Sequence, residues 1–140
     1  MTLQERIAAA DKNTPPDELR ELDARIHCWR RGYKYLEPGD HRNKAYCAET
    51  PDGRTVVLTD IPFYMVDINA AANLMPEGWD VEIYREANGK TKVKLWHEIL
   101  IDPDVPEFDW EKANLETGAR VLAAMVAKEI KNETTPRHKN

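Results

Sequence analysis

The chain has 140 residues, 41% of them hydrophobic and 32% charged, with a formal net charge of -5. That length fits one domain, and folding at this size buries roughly two thirds of the unfolded surface, so no metal or disulfide staple is required to hold a core. The acidic balance argues against a broad nucleic-acid or membrane surface, which needs a basic excess, but leaves room for a small anion held by a few arginines.

The two cysteines, Cys28 and Cys47, have no CxxC spacing and no second pair. They read as free thiols of a reducing compartment rather than as a zinc site or a disulfide framework. The N-terminal stretch MTLQERIAAADKN carries acids and no long apolar run, and no window approaches about 18 apolar residues. A cytoplasmic protein without a leader or a membrane span is the expectation.

Residues 1–14 read as an N-terminal extension, with a helical turn or two over Thr2 to Ala10. Pro15-Pro16-Asp17-Glu18 then starts a helix, with Thr14 as its cap, proline in the first turn and acids at the positive end of the dipole. Leu19, Leu22, Ile26 and Trp29 follow at helical spacing, and the helix is predicted to end near Gly32 with Arg30 and Arg31 in its last turn. Tyr33 to Asp40 reads as a connection. Ala45–Glu49 and Thr55–Thr59 flank Pro51-Asp52-Gly53, strong turn chemistry, and predict a hairpin; the continuous run Val56, Val57, Leu58 suggests a strand covered on both faces.

Asp67 or Asn69 caps a short helix through Leu74, stopped by Pro76-Glu77-Gly78. A second hairpin follows. Trp79–Glu86 and Thr91–His97 alternate around Asn88-Gly89, with Val81, Ile83, Val93 and Leu95 on one face. Ile99 to Phe108 reads as a proline-interrupted connection. A final helix beginning between Trp110 and Glu116 carries Leu115, Ala119, Leu122, Val126 and Ile130 on one face, widened by Val121 and Met125. Residues 132–140 form a flexible polar tail. The order of helix, hairpin, short helix, hairpin and long helix predicts a single α+β domain over residues 15–131. Its expected form is a layered α/β sandwich with a four-stranded, mainly antiparallel sheet made of the two hairpins, and helices packed on it.

Catalytic signatures are scarce. His27, His41, His97 and His138 show no HxH or HExxH spacing, and Asp102, Asp104, Glu107 and Asp109 lack the glycine a cation-binding loop requires. There is no GxSxG, P-loop or GxGxxG. No catalytic residue, metal or cofactor is expected. The aromatic and arginine inventory carries more information, because aromatic faces stack on nucleobases and guanidinium groups pair with phosphates. Trp29, Arg30, Arg31, Tyr33 and Tyr35 cluster after the first long helix, and Phe63 and Tyr64 precede the Asp67 helix, whose N-terminus they are expected to border at a pocket. Arg31, Phe63, Tyr64, Arg85 and Arg120 are the ligand-binding candidates; Trp29, Trp79 and Trp96 are assigned to the core.

The stretch PFYMVDINAAANLMPEGW, with Pro62, Tyr64, Asp67, Ala70, Ala71, Leu74, Pro76, Glu77, Gly78 and Trp79, resembles the phage ABA-sandwich family. There an aromatic extended segment leads into a D-A-A helix and a P-E-G-W turn. The helices LDARIHCW and GARVLAAMVAKEIK sit where that family's outer helices lie, and Asn69 departs from its I-D-A-A run. The resemblance implies a phage protein of the host cytoplasm. Its class expectation is a sponge that binds a nucleotide-derived immune signal, of cyclic nucleotide or cyclic ADP-ribose type, without cleaving it. Such sponges are homo-oligomers that hold the ligand between protomers. Two other functions compete: a protein-binding inhibitor of a host enzyme acting through the acidic surface, and a small nucleotide-processing enzyme using the acids and His97.

Overall fold

A computed structural model describes residues 1–37, 46–85, 87, 90–97, 99–101, 108–109 and 116–134. Its helices begin and end where local chemistry satisfies the free backbone groups. In α1 (Leu3–Ala9) the Thr2 hydroxyl accepts the Glu5 N–H at 3.1 Å. Helix α2 (Pro16–Arg31) has proline in its first turn and ends at Gly32, whose φ of 73° favours a residue without Cβ. The Tyr33 N–H closes that end on the Cys28 carbonyl at 2.9 Å. Thr14 does not cap α2 as expected. The helix starts one residue later, from Pro15, and the Thr14 hydroxyl accepts the Asp11 N–H at 2.9 Å instead. In α3 (Ile68–Ala72) the Asp67 carboxylate accepts the N–H groups of Asn69 and Ala70, as its sequence predicts.

The strands form two antiparallel sheets. In the first, β1 (Lys34–Leu36), β2 (Cys47–Glu49) and β3 (Thr55–Val57) lie side by side in chain order. The predicted turn joins β2 to β3, with Gly53 at a φ of 88°. The second is centred on β5 (Lys90–His97), flanked on one edge by β4 (Asp80–Arg85) and on the other by β6 (Ile99–Ile101) and β7 (Phe108–Asp109). Val81 faces Leu95 and Ile83 faces Val93, the register that the alternation implies.

The α+β class therefore holds, but the two hairpins do not share one four-stranded sheet. Each completes its sheet with a strand close in sequence, β1 for one and β6 with β7 for the other, and neighbouring strands in the chain pair most readily. Tyr33–Asp40 and Ile99–Phe108, read as connections, supply these extra strands; at two or three residues each they are too short to show alternation. Asn88-Gly89, His41, Asp102, Asp104, Glu107, Leu115 and His138 lie outside the described residues.

Helix α4 (Glu116–Thr134) is the centre of the fold. Helices α1 and α3 and strands β4 and β5 all pack on it. Ala119, Val121, Leu122, Ala123, Ala124, Met125 and Ala127 are each at most 1% exposed, so burial runs round most of its circumference rather than along one stripe. Alanines make this possible, because small side chains let four neighbours approach one helix. One core cluster joins Leu122 and Met125 to Ile7 of α1, Leu22 and Ile26 of α2, and Tyr64, Met65 and Leu74; a second joins Ala123 and Ala127 to Trp79 and Leu95. Burying a large apolar side chain in this way stabilises by about 1.5–3 kcal/mol.

Two apolar expectations differ. Val57 is 60% exposed because β3 is a sheet edge with an uncovered outer face. Trp96 is 42% exposed because it alternates with Leu95: α4 covers the Leu95 face and leaves the Trp96 face open. Among the described residues no helix is long and apolar enough to cross a membrane.

Candidate functional site

Two cavities lie on either side of the segment that leads out of α3, and Met75 lines both. The larger, about 320 Å³, is walled by Trp29 and Arg30 at the end of α2, by Asn73 through Pro76, and by Lys128 of α4. Each wall follows from local sequence. Gly32 ends α2 just after Trp29 and Arg30, so both sit at an open helix end. Asn73 closes α3, and the Pro76–Trp79 turn, with the Trp79 N–H on the Pro76 carbonyl at 3.2 Å, leaves the chain irregular where it passes between the helices. Irregular backbone there does not fill the space that a helical face would.

The cavity joins one aromatic face to two cations. The Lys128 ammonium lies 4.6 Å from the centroid of the Trp29 ring. The Arg30 guanidinium reaches the Tyr64 hydroxyl at 3.4 Å, a long contact that leaves most of its donors uncommitted. Neither cation is ion-paired with an acid among the described residues. Among the described residues the walls hold no carboxylate, histidine, hydroxyl or thiol, and Leu74, Met75 and Pro76 supply an apolar floor. Such a site can take an anion attached to a planar or apolar group. Among the described lining residues, the Lys128 amine is the one group of a type that can serve as nucleophile or general base.

The smaller cavity, about 210 Å³, is walled by Ala71 and Ala72 of α3, Met75, Trp79 to Val81, and Arg120. Of the residues chosen from sequence, Arg120 alone lines one of these two cavities among the side chains described. Arg31 is exposed one residue beyond the larger cavity. Tyr64 is only 1% exposed and belongs to the core, with its hydroxyl turned to Arg30. Phe63 is 53% exposed, and the Arg20 guanidinium stacks on its ring at 3.8 Å. Arg85 ends β4 opposite Thr91, and its side chain lies outside the described residues. Lys128 and Asn73 had no sequence signal that singled them out. Trp29 and Arg30 did belong to the aromatic–arginine cluster, although Trp29 was assigned to the core, against which it also packs.

A polar network fixes the helices around the larger cavity. The Asp23 carboxylate, only 1% exposed, accepts the Met65 N–H at 2.9 Å and Arg20 at 3.1 Å. Arg20 also donates to the carbonyls of Ile61 at 2.7 Å and Pro62 at 3.2 Å. From α4 the Thr117 hydroxyl donates to the Met65 carbonyl at 2.6 Å. Burial pushes the Asp23 carboxyl above its ordinary value, with the Met65 N–H and Arg20 pulling the other way.

His27, Cys28 and Tyr35 line neither cavity. His27 is held below the ordinary imidazole value by burial and by Arg31 and Arg30, and its Nδ1 has no hydrogen-bond partner among the described residues. Burial raises the Cys28 thiol, which marks it as unreactive. The Tyr35 phenol is pushed up to about 12, chiefly by burial, with its ring under the Arg25 guanidinium at 4.3 Å. Among the described residues no three His, Cys, Asp or Glu side chains converge as a metal site.

No family model, curated protein or solved structure matches this chain.

Proposed function

We propose that this protein binds a small nucleotide-derived anion in the Trp29–Lys128 cavity and holds it without cleaving it. In this reading it is a phage accessory protein that sequesters a bacterial immune signal of cyclic nucleotide or cyclic ADP-ribose type. The supporting observation is the convergence of an indole face and two cations with no acid among the described residues paired to them, in walls whose described residues include no carboxylate, histidine, hydroxyl or thiol. The likeness of residues 62–79 to the phage ABA-sandwich family supplies the biological setting, and the layered sandwich architecture belongs to the same reading. A cavity of about 320 Å³ is at the small end for ligand sites and suits one nucleotide unit. A cyclic dinucleotide would then be shared between two copies of the chain, which makes a homo-oligomer part of the proposal.

Calorimetric titration with cyclic dinucleotides and cyclic ADP-ribose isomers, followed by heat release and chromatography of the ligand, tests this. Binding with recovery of intact ligand is expected. Silence across the whole panel refutes it, and recovery of a cleaved product refutes its non-catalytic half.

A second reading has an observation of its own. Phe63, Val66 and Ile68 expose 53%, 59% and 43% of their surface within one short segment, the kind of apolar cluster that protein partners cover. It favours an inhibitor that docks on a host enzyme. Charge substitution at Val66 that leaves capture of a reproducible host partner unchanged would count against it.

A further inference from the structure

We infer that Lys128 is a displaceable cover on the Trp29 ring, and that the site selects a base-bearing nucleotide whose phosphate end carries two negative charges. This rests on nucleotide binding in the Trp29–Lys128 cavity and narrows the ligands it admits: one that presents two negative charges, as the diphosphate of cyclic ADP-ribose does, is held over a cyclic phosphodiester that presents one, and Lys128 is the residue that selects it. The ammonium occupies the indole face at 4.6 Å while lining the same cavity as Arg30, so in the free protein the best stacking surface is closed by one of the two cations. A phosphate entering the cavity offers that ammonium a charge-assisted hydrogen bond, which is stronger than the attraction of a half-exposed ring. Lys128 then leaves the indole for the phosphate. The face it vacates becomes available to the base, whose other edge meets the apolar floor of Leu74, Met75 and Pro76.

Charge matching sets the ligand class. Arg30 and Lys128 bring two positive charges, and neither has an acid partner among the described residues. A phosphomonoester carries about -1.5 to -2 at neutral pH and satisfies both. A phosphodiester carries one charge and leaves a cation uncompensated. The phosphate and the ring are thus coupled through Lys128: either half alone either fails to move the ammonium or gains no stacking from its movement.

The test is calorimetry and tryptophan fluorescence on the full chain with four probes: adenosine 5′-monophosphate, 3′,5′-cyclic adenosine monophosphate, adenosine and ribose 5-phosphate. Trp29→Phe assigns the signal that belongs to the indole. The monophosphate is expected to bind at least tenfold tighter than the cyclic diester. Adenosine and ribose 5-phosphate are each expected to be weaker still. A Trp29 emission change should accompany the monophosphate and be missing with ribose 5-phosphate. Lys128→Met should cost about tenfold in monophosphate affinity and erase the preference over the cyclic diester, and Lys128→Arg should restore it. Circular dichroism checks that the variants stay folded. If the cyclic diester binds as well as the monophosphate, or Lys128→Met leaves affinity and Trp29 emission untouched, the inference is overturned while nucleotide binding stands. If none of the four binds, this inference is overturned, and the reading beneath it falls too if the cyclic dinucleotide and cyclic ADP-ribose panel is also silent.

Discussion

Replacing Asp23 by alanine removes the one acid that α2 buries against the Ile61–Met65 segment. The carboxylate accepts a backbone N–H at 2.9 Å and a guanidinium at 3.1 Å while only 1% exposed. Alanine leaves the Met65 N–H buried without an acceptor, at a cost of about 1–3 kcal/mol, and removes a charge-assisted bond of about 1.5–3 kcal/mol. The desolvation of Asp23 itself, visible in its raised pKa, is relieved and offsets part of this. The Arg20 side chain is 28% exposed and keeps the Ile61 and Pro62 carbonyls, so it is not stranded. The net expectation is about 2–4 kcal/mol, a large share of the roughly 5–15 kcal/mol that stabilises a typical domain. In urea this lowers the midpoint by roughly 1–2 M with an unchanged slope. Asp23→Asn keeps an oxygen for Met65 and should cost about half as much. The pH dependence has a definite sign. A carboxyl raised above 3.8 in the folded state takes up its proton before the unfolded chain does. Its contribution is therefore fully present below the ordinary carboxylate value and declines as pH rises through the raised one. The gap between wild type and Asp23→Asn should widen as pH falls from 7 toward 4. An alanine variant within about 0.5 kcal/mol of wild type, or an asparagine variant as unstable as the alanine one, would falsify the clamp.

Three further outcomes follow from single groups. Tyr35→Phe removes a buried hydroxyl with no hydrogen-bond partner among the described residues, so it should be neutral or stabilise by up to about 1 kcal/mol in urea melts, and a loss above that shows the hydroxyl is satisfied. His27 is held neutral with a pKa below 6.5, so the stability it contributes is present above that value and is lost as pH falls below it; His27→Gln should flatten the melting temperature between pH 7 and 5, and an unchanged slope refutes the assignment. A Cβ on Gly118 meets the Ile7 carbonyl at 3.4 Å and nothing nearer, so Gly118→Ala should stabilise α4 by up to about 1 kcal/mol while Gly118→Leu, driven into α1, should unfold the variant at lower urea.

Legibility in the sequence tracked how local the deciding physics is. The Gly32 stop of α2, the Asp67 cap and the β4–β5 register rest on neighbours within a few residues, and all three could be read directly. The strands β1, β6 and β7 could not, since runs of two or three residues carry no period. Trp96 and Val57 were misplaced for a different reason: alternation tells which residues share a face but not which face another element covers. The larger cavity was half legible. The Trp29–Arg30 pair stood out by composition, whereas Lys128 is one cation among 20 lysines and arginines until α4 is docked beside α2.

That docking makes the core and the cavity one problem. The Met65 peptide is held from both sides, its N–H by Asp23 of α2 and its carbonyl by Thr117 of α4. It therefore fixes the spacing of the two helices that carry Trp29 and Lys128. Lys128 lies about three turns beyond Thr117, roughly 16 Å at the α-helical rise. An error of an ångström at the clamp is passed along a rigid helix to the cavity. Thr117→Val preserves shape and removes only the hydroxyl, leaving the Met65 carbonyl without that partner at a cost of about 1–3 kcal/mol. Because the cation–π contact of Lys128 falls off with distance, the variant should also alter Trp29 emission in the free protein, read as the difference from a Trp29→Phe background. A variant that loses stability while Trp29 emission stays as in wild type would show that the clamp holds the core without setting the cavity.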